Sequence, residues 1–324
     1  VEGSISPATA CELAARSGLR LAPEEVLARY NYSDFPGFIE AFKWITSFLR
    51  SPEDYAYIIR RLCEDLRRQN VRYAELTVSV GVMLLRKQDA EANFEAMQAA
   101  AASESHFPRV QWIFDAIRQF GPGAAIEVAR LAARAKSVGV VAFGMGGDEL
   151  SVPAEDFRGV YDYVAAQGLR RLVHAGEIGG PREIRDAVEV LGADRIGHGI
   201  AAVHDPALLE FLADRRIPLE VCPTSNLCTG ALARQLGRAQ ASLEDHPLPR
   251  LFRAGVPVTL ASDDPAMFHT GLLREYECAL RAGLSISDLV HIARAGFEHA
   301  FLPEAEKAAL LETFQSETAR LPLL

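Results

Sequence analysis

Three short apolar runs in the C-terminal half of the chain each end in ionisable side chains. They are Arg171-Leu-Val-His174-Ala-Gly-Glu177, Asp194-Arg-Ile-Gly-His198-Gly199 and Val258-Thr-Leu-Ala-Ser-Asp263-Asp264-Pro265. A buried strand that stops at a histidine or an aspartate delivers that side chain to the rim of a sheet, where pockets form. Imidazole together with carboxylate is ligand chemistry for zinc or another divalent metal. His174 and Glu177 flank Ala175-Gly176, small residues that let the backbone bend so that both side chains face one cavity. A neutral His174 can hold a metal, and Glu177 can donate a proton where a dry pocket raises its pKa. His198 lies between two glycines and can bind metal or serve as a base or electrostatic partner. Asp263 and Asp264 are adjacent, so along a strand they point oppositely, one toward a metal and the other toward a ligand. Each feature alone has a plainer reading: a packed histidine, a glycine-rich turn, an Asp pair that starts a helix. Three in series favour an enzyme.

Other stretches carry weaker signals. Gly144-Met-Gly-Gly147-Asp148-Glu149 can bring a backbone N–H against a flat ligand, although its spacing is not that of a dinucleotide fingerprint. Phe38 and Phe42 share a helix face, which serves as core or as a lid, with core the plainer expectation. Glu75 and Asp115 are placed at strand ends lining the rim. Cys222 reads as packing, while Ser225 and Asn226 contact a substrate or turn the chain. His106, His204, His246, His269, His291 and His299 are read as ordinary surface or structural residues.

The elements that must position these groups alternate along the chain. Strands are expected over 72–79, 110–115, 138–143, 171–174, 195–198, 218–222 and 256–262. Helices are expected near 8–16, 54–69, 91–103, 124–136, 157–166, 182–191, 207–214 and 249–254. Short, nearly continuous apolar strands separated by helices indicate a parallel sheet buried on both faces. Seven strands are one short of a closed α/β barrel. The loop-like stretch Val1 to Pro7 leads directly into a helix, so the expectation is a TIM (β/α)8 barrel whose first strand lies upstream. A doubly wound sheet is the alternative. The whole of 1–324 is expected to form one barrel domain with a helical insertion near 20–60.

Composition narrows the function classes. A net charge of −9 disfavours attraction to nucleic-acid phosphates. No apolar run reaches the length of a membrane span, and no signal-peptide pattern opens the chain. The 5 cysteines are odd in number without a Cys-x-x-Cys pair, which leaves a reducing, cytoplasmic setting as the default.

Taken together, His174-Ala-Gly-Glu177, Arg195-Ile-Gly-His198-Gly199, Cys222-Pro-Thr-Ser-Asn226 and Ser262-Asp263-Asp264-Pro265 resemble, in order, the signature of the adenosine deaminase family within the metal-dependent amidohydrolases. The resemblance spans essentially the whole chain. It implies one Zn2+ held by His174, Asp263 and two histidines of a His-x-His motif expected upstream of Val1. It further implies that Asp263 orients the attacking water, His198 stabilises or deprotonates it, and Glu177 protonates purine N1. Asp264 would bond N7, the Gly147 N–H would face N3, Glu2 would reach a sugar hydroxyl, and Phe38 and Phe42 would cover the base. The implied reaction turns a 6-aminopurine nucleoside into its 6-oxo product and ammonia, with adenosine as the default substrate. 6-Amino-6-deoxyfutalosine is the main rival, its benzoate met by a cation such as Arg86 or Lys87; free adenine is a more distant one. Phe143-Gly144 stands where a two-metal amidohydrolase would carry a bridging lysine.

Overall fold

The computed structural model describes residues 1–320. Seven strands, β1 (Tyr73–Val78), β2 (Arg109–Ile117), β3 (Val140–Gly146), β4 (Arg170–Ala175), β5 (Arg195–His198), β6 (Leu219–Val221) and β7 (Val258–Leu260), form one parallel sheet in the order β1-β2-β3-β4-β5-β6-β7. Strand order that follows chain order, with a helix after nearly every strand, is the winding of a barrel. A doubly wound sheet would reverse direction at a switch point. The sheet curls into a distorted TIM-barrel fold. β1 and β7 are not paired with each other among the described residues. The segment Val1–Ile5 runs between them. The Val1 nitrogen donates to the Thr77 carbonyl at 2.8 Å, and the Ala266 N–H donates to the Gly3 carbonyl at 3.0 Å.

Alternation along each strand sorts side chains into two cores. Ile113, Ala142 and Leu172 form a small cluster inside the curl, while their neighbours Trp112, Phe114, Phe143 and Val173 face the surrounding helices in the large outer core. Two strands run further than the sequence pattern suggests. β3 continues through Gly144-Met145-Gly146, paired to Asp115, Ala116 and Ile117 of β2. These glycines read as a loop, but they are strand residues that make room. A Cβ on Gly144 would lie 2.7 Å from an Asp115 carboxylate oxygen. Their position is set by packing across strands, which local propensity does not record.

Between the Pro7–Arg16 helix and β1 lie three more helices, Pro23–Arg29, Phe35–Thr46 and Pro52–Arg68. Asp34 caps the second by accepting from the Gly37 N–H at 2.9 Å, and Ser51 with Asp54 forms a capping box on the third. No helix among the described residues is long and apolar enough to cross a membrane. All five cysteines are free.

Candidate active site

Residues two apart on a strand share a face, so the interior positions after Ile113 and Leu172 are Asp115 and His174, one layer nearer the C-terminal rim. Gly197 on β5 leaves space for the imidazole, since a Cβ there would lie 3.2 Å from His174 Cγ. By the same alternation His198 would point away from the interior. Instead it takes a left-handed backbone conformation, φ 62°, and so does Asp263 beyond β7, φ 54°. Each such conformation costs on the order of 1 kcal/mol or more and persists only where the surroundings impose it. The two turns bring both side chains to His174. One ligand-capable atom from each of His174, His198 and Asp263 lies within 4.8 Å of the others, a cluster able to coordinate a divalent metal. The His174 and His198 ring centroids are 5.2 Å apart.

The donor set fits such an ion. His174 Nδ1 and one Asp115 oxygen are buried without any hydrogen-bond partner. No lysine or arginine among the described residues pairs with Asp115, Glu177, Asp263 or Asp264, so four carboxyl groups crowd a partly dry pocket with imidazoles as their only side-chain ion partners. Burial pushes the Asp115 carboxyl up to about 7, with the neighbouring His174 opposing the shift. Burial, then the Asp263 and Glu149 charges, push Glu177 up to about 8. Burial and Asp263 likewise hold Asp264 well above the usual carboxylate range.

Glu177 is only 7 % exposed. Its Oε2 lies 3.5 Å from His198 Nε2, which is 3.9 Å from Asp263 Oδ2, and Thr229 Oγ1 donates to Glu177 Oε1 at 3.3 Å. The loop that carries Glu177 is gripped from both sides. The buried Glu149 carboxylate accepts from the backbone N–H groups of Gly176, Glu177, Ile178 and Gly179 at 2.8 to 3.2 Å. On the other side the Gln235 amide donates to the Glu177 and Gly179 carbonyls. Four converging N–H groups make a strong anion seat, and here the anion is the protein's own.

The remaining expected residues lie around this centre. Gly147 has φ 94° and would drive a Cβ to within 2.3 Å of the Gln119 amide oxygen, so the position requires glycine. Gly3 packs directly on the Asp264 carboxyl. Glu2 is buried, and both its carboxylate oxygens face the Ser79 N–H, at 3.2 and 3.4 Å. Phe38 is buried, stacked on Phe268 at 5.2 Å and packed on Phe42 and Tyr32, so this aromatic cluster joins the Phe35–Thr46 helix to the segment after Asp264.

Two expectations are corrected. Glu75 does not line the rim: it sits early in β1, at the opposite end of the barrel, bound to Arg195. Arg86 is not a free cation, because its guanidinium binds the Lys43 and Thr46 carbonyls and the Thr46 hydroxyl, closing the C-terminus of the Phe35–Thr46 helix. Sequence reasoning also passed over His246, which is buried and bonded to Asn226, itself bonded to His198. Its one sequence signal was the following proline, which marks a helix start. A cavity of about 670 Å³ opens at the far end of the strands, between Arg109, Trp112, Gly139 and Phe301, away from these groups.

Comparison with known proteins agrees with this geometry. Residues 1–317 match the family model described as Adenosine deaminase. An aminodeoxyfutalosine deaminase of Streptomyces coelicolor is 41% identical, the match covering 98% of this chain and 82% of the relative. An adenine deaminase of Rhizobium leguminosarum bv. trifolii is 34% identical over 96% of this chain and 95% of its own. Among solved structures, an adenine deaminase from Arthrobacter aurescens superposes with a TM-score of 0.89 at 28% identity, covering 98% of this chain and 96% of its own. A convergent acid and imidazole cluster at the C-terminal rim of a parallel barrel, on a chain matched along nearly all its length, has one family reading: this protein belongs to the adenosine deaminase family of metal-dependent amidohydrolases, and it is a hydrolytic deaminase.

Proposed function

We propose that the substrate is 6-amino-6-deoxyfutalosine and that the enzyme replaces its purine 6-amino group by oxygen, releasing ammonia. This differs from the adenosine default of the sequence reading. The observation that carries it is the 41% identity to an aminodeoxyfutalosine deaminase across 98% of the chain, above the 34% shared with an adenine deaminase.

The pocket chemistry suits a 6-aminopurine. His174 and Asp263 would hold one zinc ion, whose Lewis acidity lowers the pKa of a bound water. Glu177, kept protonated by burial, gives its proton to ring N1 and makes C6 electrophilic. Asp264, whose carboxyl burial and Asp263 push upward, would donate to N7, a ring nitrogen that offers only a lone pair. The Gly147 N–H faces N3, and Asp263 with His198 orients the water that adds to C6. Phe38 and Phe42 close over the base, and Glu2 stands toward the sugar side. A carboxyl proton shuttle beside an activated water is the same physical solution used by other zinc deaminases.

The test is a comparison of ammonia release by the zinc-loaded enzyme from aminodeoxyfutalosine, adenosine and adenine. The expected result is a kcat/KM for aminodeoxyfutalosine at least about 100-fold above the other two, a ratio available to a site that pairs a polar group the other substrates lack. Equal or higher kcat/KM on adenosine or adenine overturns the assignment.

A further inference from the structure

His246 is 3 % exposed, has no charged neighbour within the site, and burial alone pushes its pKa down to about 3. Its ring is nevertheless the start of an unbroken chain of hydrogen bonds that ends at the active-site imidazole. The Leu248 backbone N–H meets His246 Nδ1 at 3.1 Å. His246 Nε2 meets Asn226 Oδ1 at 3.3 Å, and Asn226 Nδ2 meets His198 Nδ1 at 3.1 Å. Asn226 is fully buried on the short helix Pro223–Cys228 that follows β6.

The direction of every bond follows from the first. A backbone N–H can only donate, so His246 Nδ1 must accept and the ring proton must sit on Nε2. A proton on Nε2 demands an acceptor, which puts the Asn226 oxygen toward His246. The Asn226 NH2 group then faces His198, so His198 Nδ1 must accept. The opposite polarity would set two donors 3.1 Å apart at Leu248. Amide and imidazole orientations are ordinarily assigned from their partners, and here a backbone group fixes them all.

We infer that the buried chain Leu248–His246–Asn226 fixes His198 as the neutral imidazole with its proton on Nε2, which makes His246 and Asn226 positioning residues for the reaction. The Nε2–H then points at Glu177 Oε2, 3.5 Å away, and Asp263 Oδ2, 3.9 Å away. A nitrogen that carries a proton has no electron pair for a metal. His198 therefore stands beside the cation site as a hydrogen-bond donor, although its distances alone would admit it as a third ligand. It also cannot take a proton from water through that nitrogen while the chain is intact, so its part is to hold an oxygen next to Asp263. The catalytic consequence rests on the deaminase reading above; the tautomer does not.

The experiment is nitrogen-15 NMR of histidine-labelled, metal-free and substrate-free enzyme at and above neutral pH. Expected is a His198 resonance pair with Nδ1 unprotonated and Nε2 bearing the proton. A protonated Nδ1, in a neutral or a cationic ring, overturns the proposal. Asn226→Asp places an acceptor at both ends of the residue and is expected to move the His198 proton to Nδ1. With zinc loaded it lowers kcat about 10- to 100-fold with little change in KM, the range seen when outer hydrogen-bond partners of a metal site are lost. An unmoved proton in that variant overturns the role of Asn226. Should Asn226→Asp not fold, His246→Gln and His246→Leu decide the matter. The glutamine keeps a donor toward Asn226 and is expected to preserve the Nε2–H form and most of kcat, whereas the leucine loses both. Equal behaviour of the two overturns the role of His246. Failure of the enzyme to deaminate any 6-aminopurine would leave the spectrum unchanged, so the two readings fail separately.

Discussion

The two ends of the barrel interior treat charge in opposite ways. At the N-terminal end Arg195, 6 % exposed, lies between Glu75 and Glu220, its Nε 2.9 Å from Glu220 Oε1. It also donates to the His299 carbonyl and covers the Phe301 ring at 3.5 Å, while Glu75 accepts from Tyr73 and from the Phe301 N–H. At the C-terminal end Asp115, Glu177, Asp263 and Asp264 face two imidazoles and no arginine or lysine. The first cluster pairs its charges within the protein, although Arg195 Nε faces Glu220 Oε1 without hydrogen-bond geometry; the second leaves acid groups with no arginine or lysine partner and a histidine and an aspartate atom without a hydrogen bond. Closed charge clusters hold a fold together at one geometry. Open ones lose stability and retain reactivity, the exchange expected where a site is built for ligand and chemistry.

That contrast can be broken from either end. His174→Ala and Asp263→Ala are expected to have the largest effect, removing the metal seat and reducing deaminase activity to background, while circular dichroism and Tm of the metal-free protein stay near those of the parent. Glu177→Gln is expected to lower kcat by about 10²- to 10⁴-fold, the usual contribution of a positioned general acid, with metal content unchanged. A variant that retained most of its kcat would remove Glu177 from the proton pathway. At the other end Glu75→Ala leaves Arg195 short of a buried partner and is expected to cost about 3–5 kcal/mol in urea unfolding, with kcat of the folded enzyme unaltered. Loss of kcat without loss of stability there would erase the distinction between the ends.

The smallest effect concerns pH. In metal-free enzyme the Glu177 carboxyl, pushed from 4.5 to about 8, keeps its proton in the folded state longer than in the unfolded one. Its contribution is therefore fully present below about 4.5 and is lost as pH rises through about 8. Metal-free parent should lose Tm relative to metal-free Glu177→Gln between those pH values, by a few degrees at this chain length. Parallel pH curves for the two proteins would contradict the raised pKa.

Much of this was readable from the chain because strand ends announce themselves. Apolar runs stopping at His174, His198 and Asp263 located three corners of one site, and all seven strands lie where periodicity places them. What escaped reading depends on contacts between distant segments. Glu75 and Asp115 look alike as acids within apolar strands, yet one sits three residues into β1 and the other seven residues into β2, which places them at opposite ends of the barrel. Glu149 carries no local pattern and His246 only the proline that follows it; their meaning lies in backbone N–H groups at 176–179 and at Leu248. The positive φ of His198 and Asp263 is equally invisible, since neither residue type requires it.

The most direct test of the open-cluster account is titration of Zn2+ into chelator-stripped enzyme, followed by Tm and by ammonia release. The account predicts saturation at one ion per chain, a rise in Tm and recovery of activity over the same range, all lost together in the His174→Ala variant. Binding and stabilisation that survive the loss of His174, or activity that persists without metal, would contradict it.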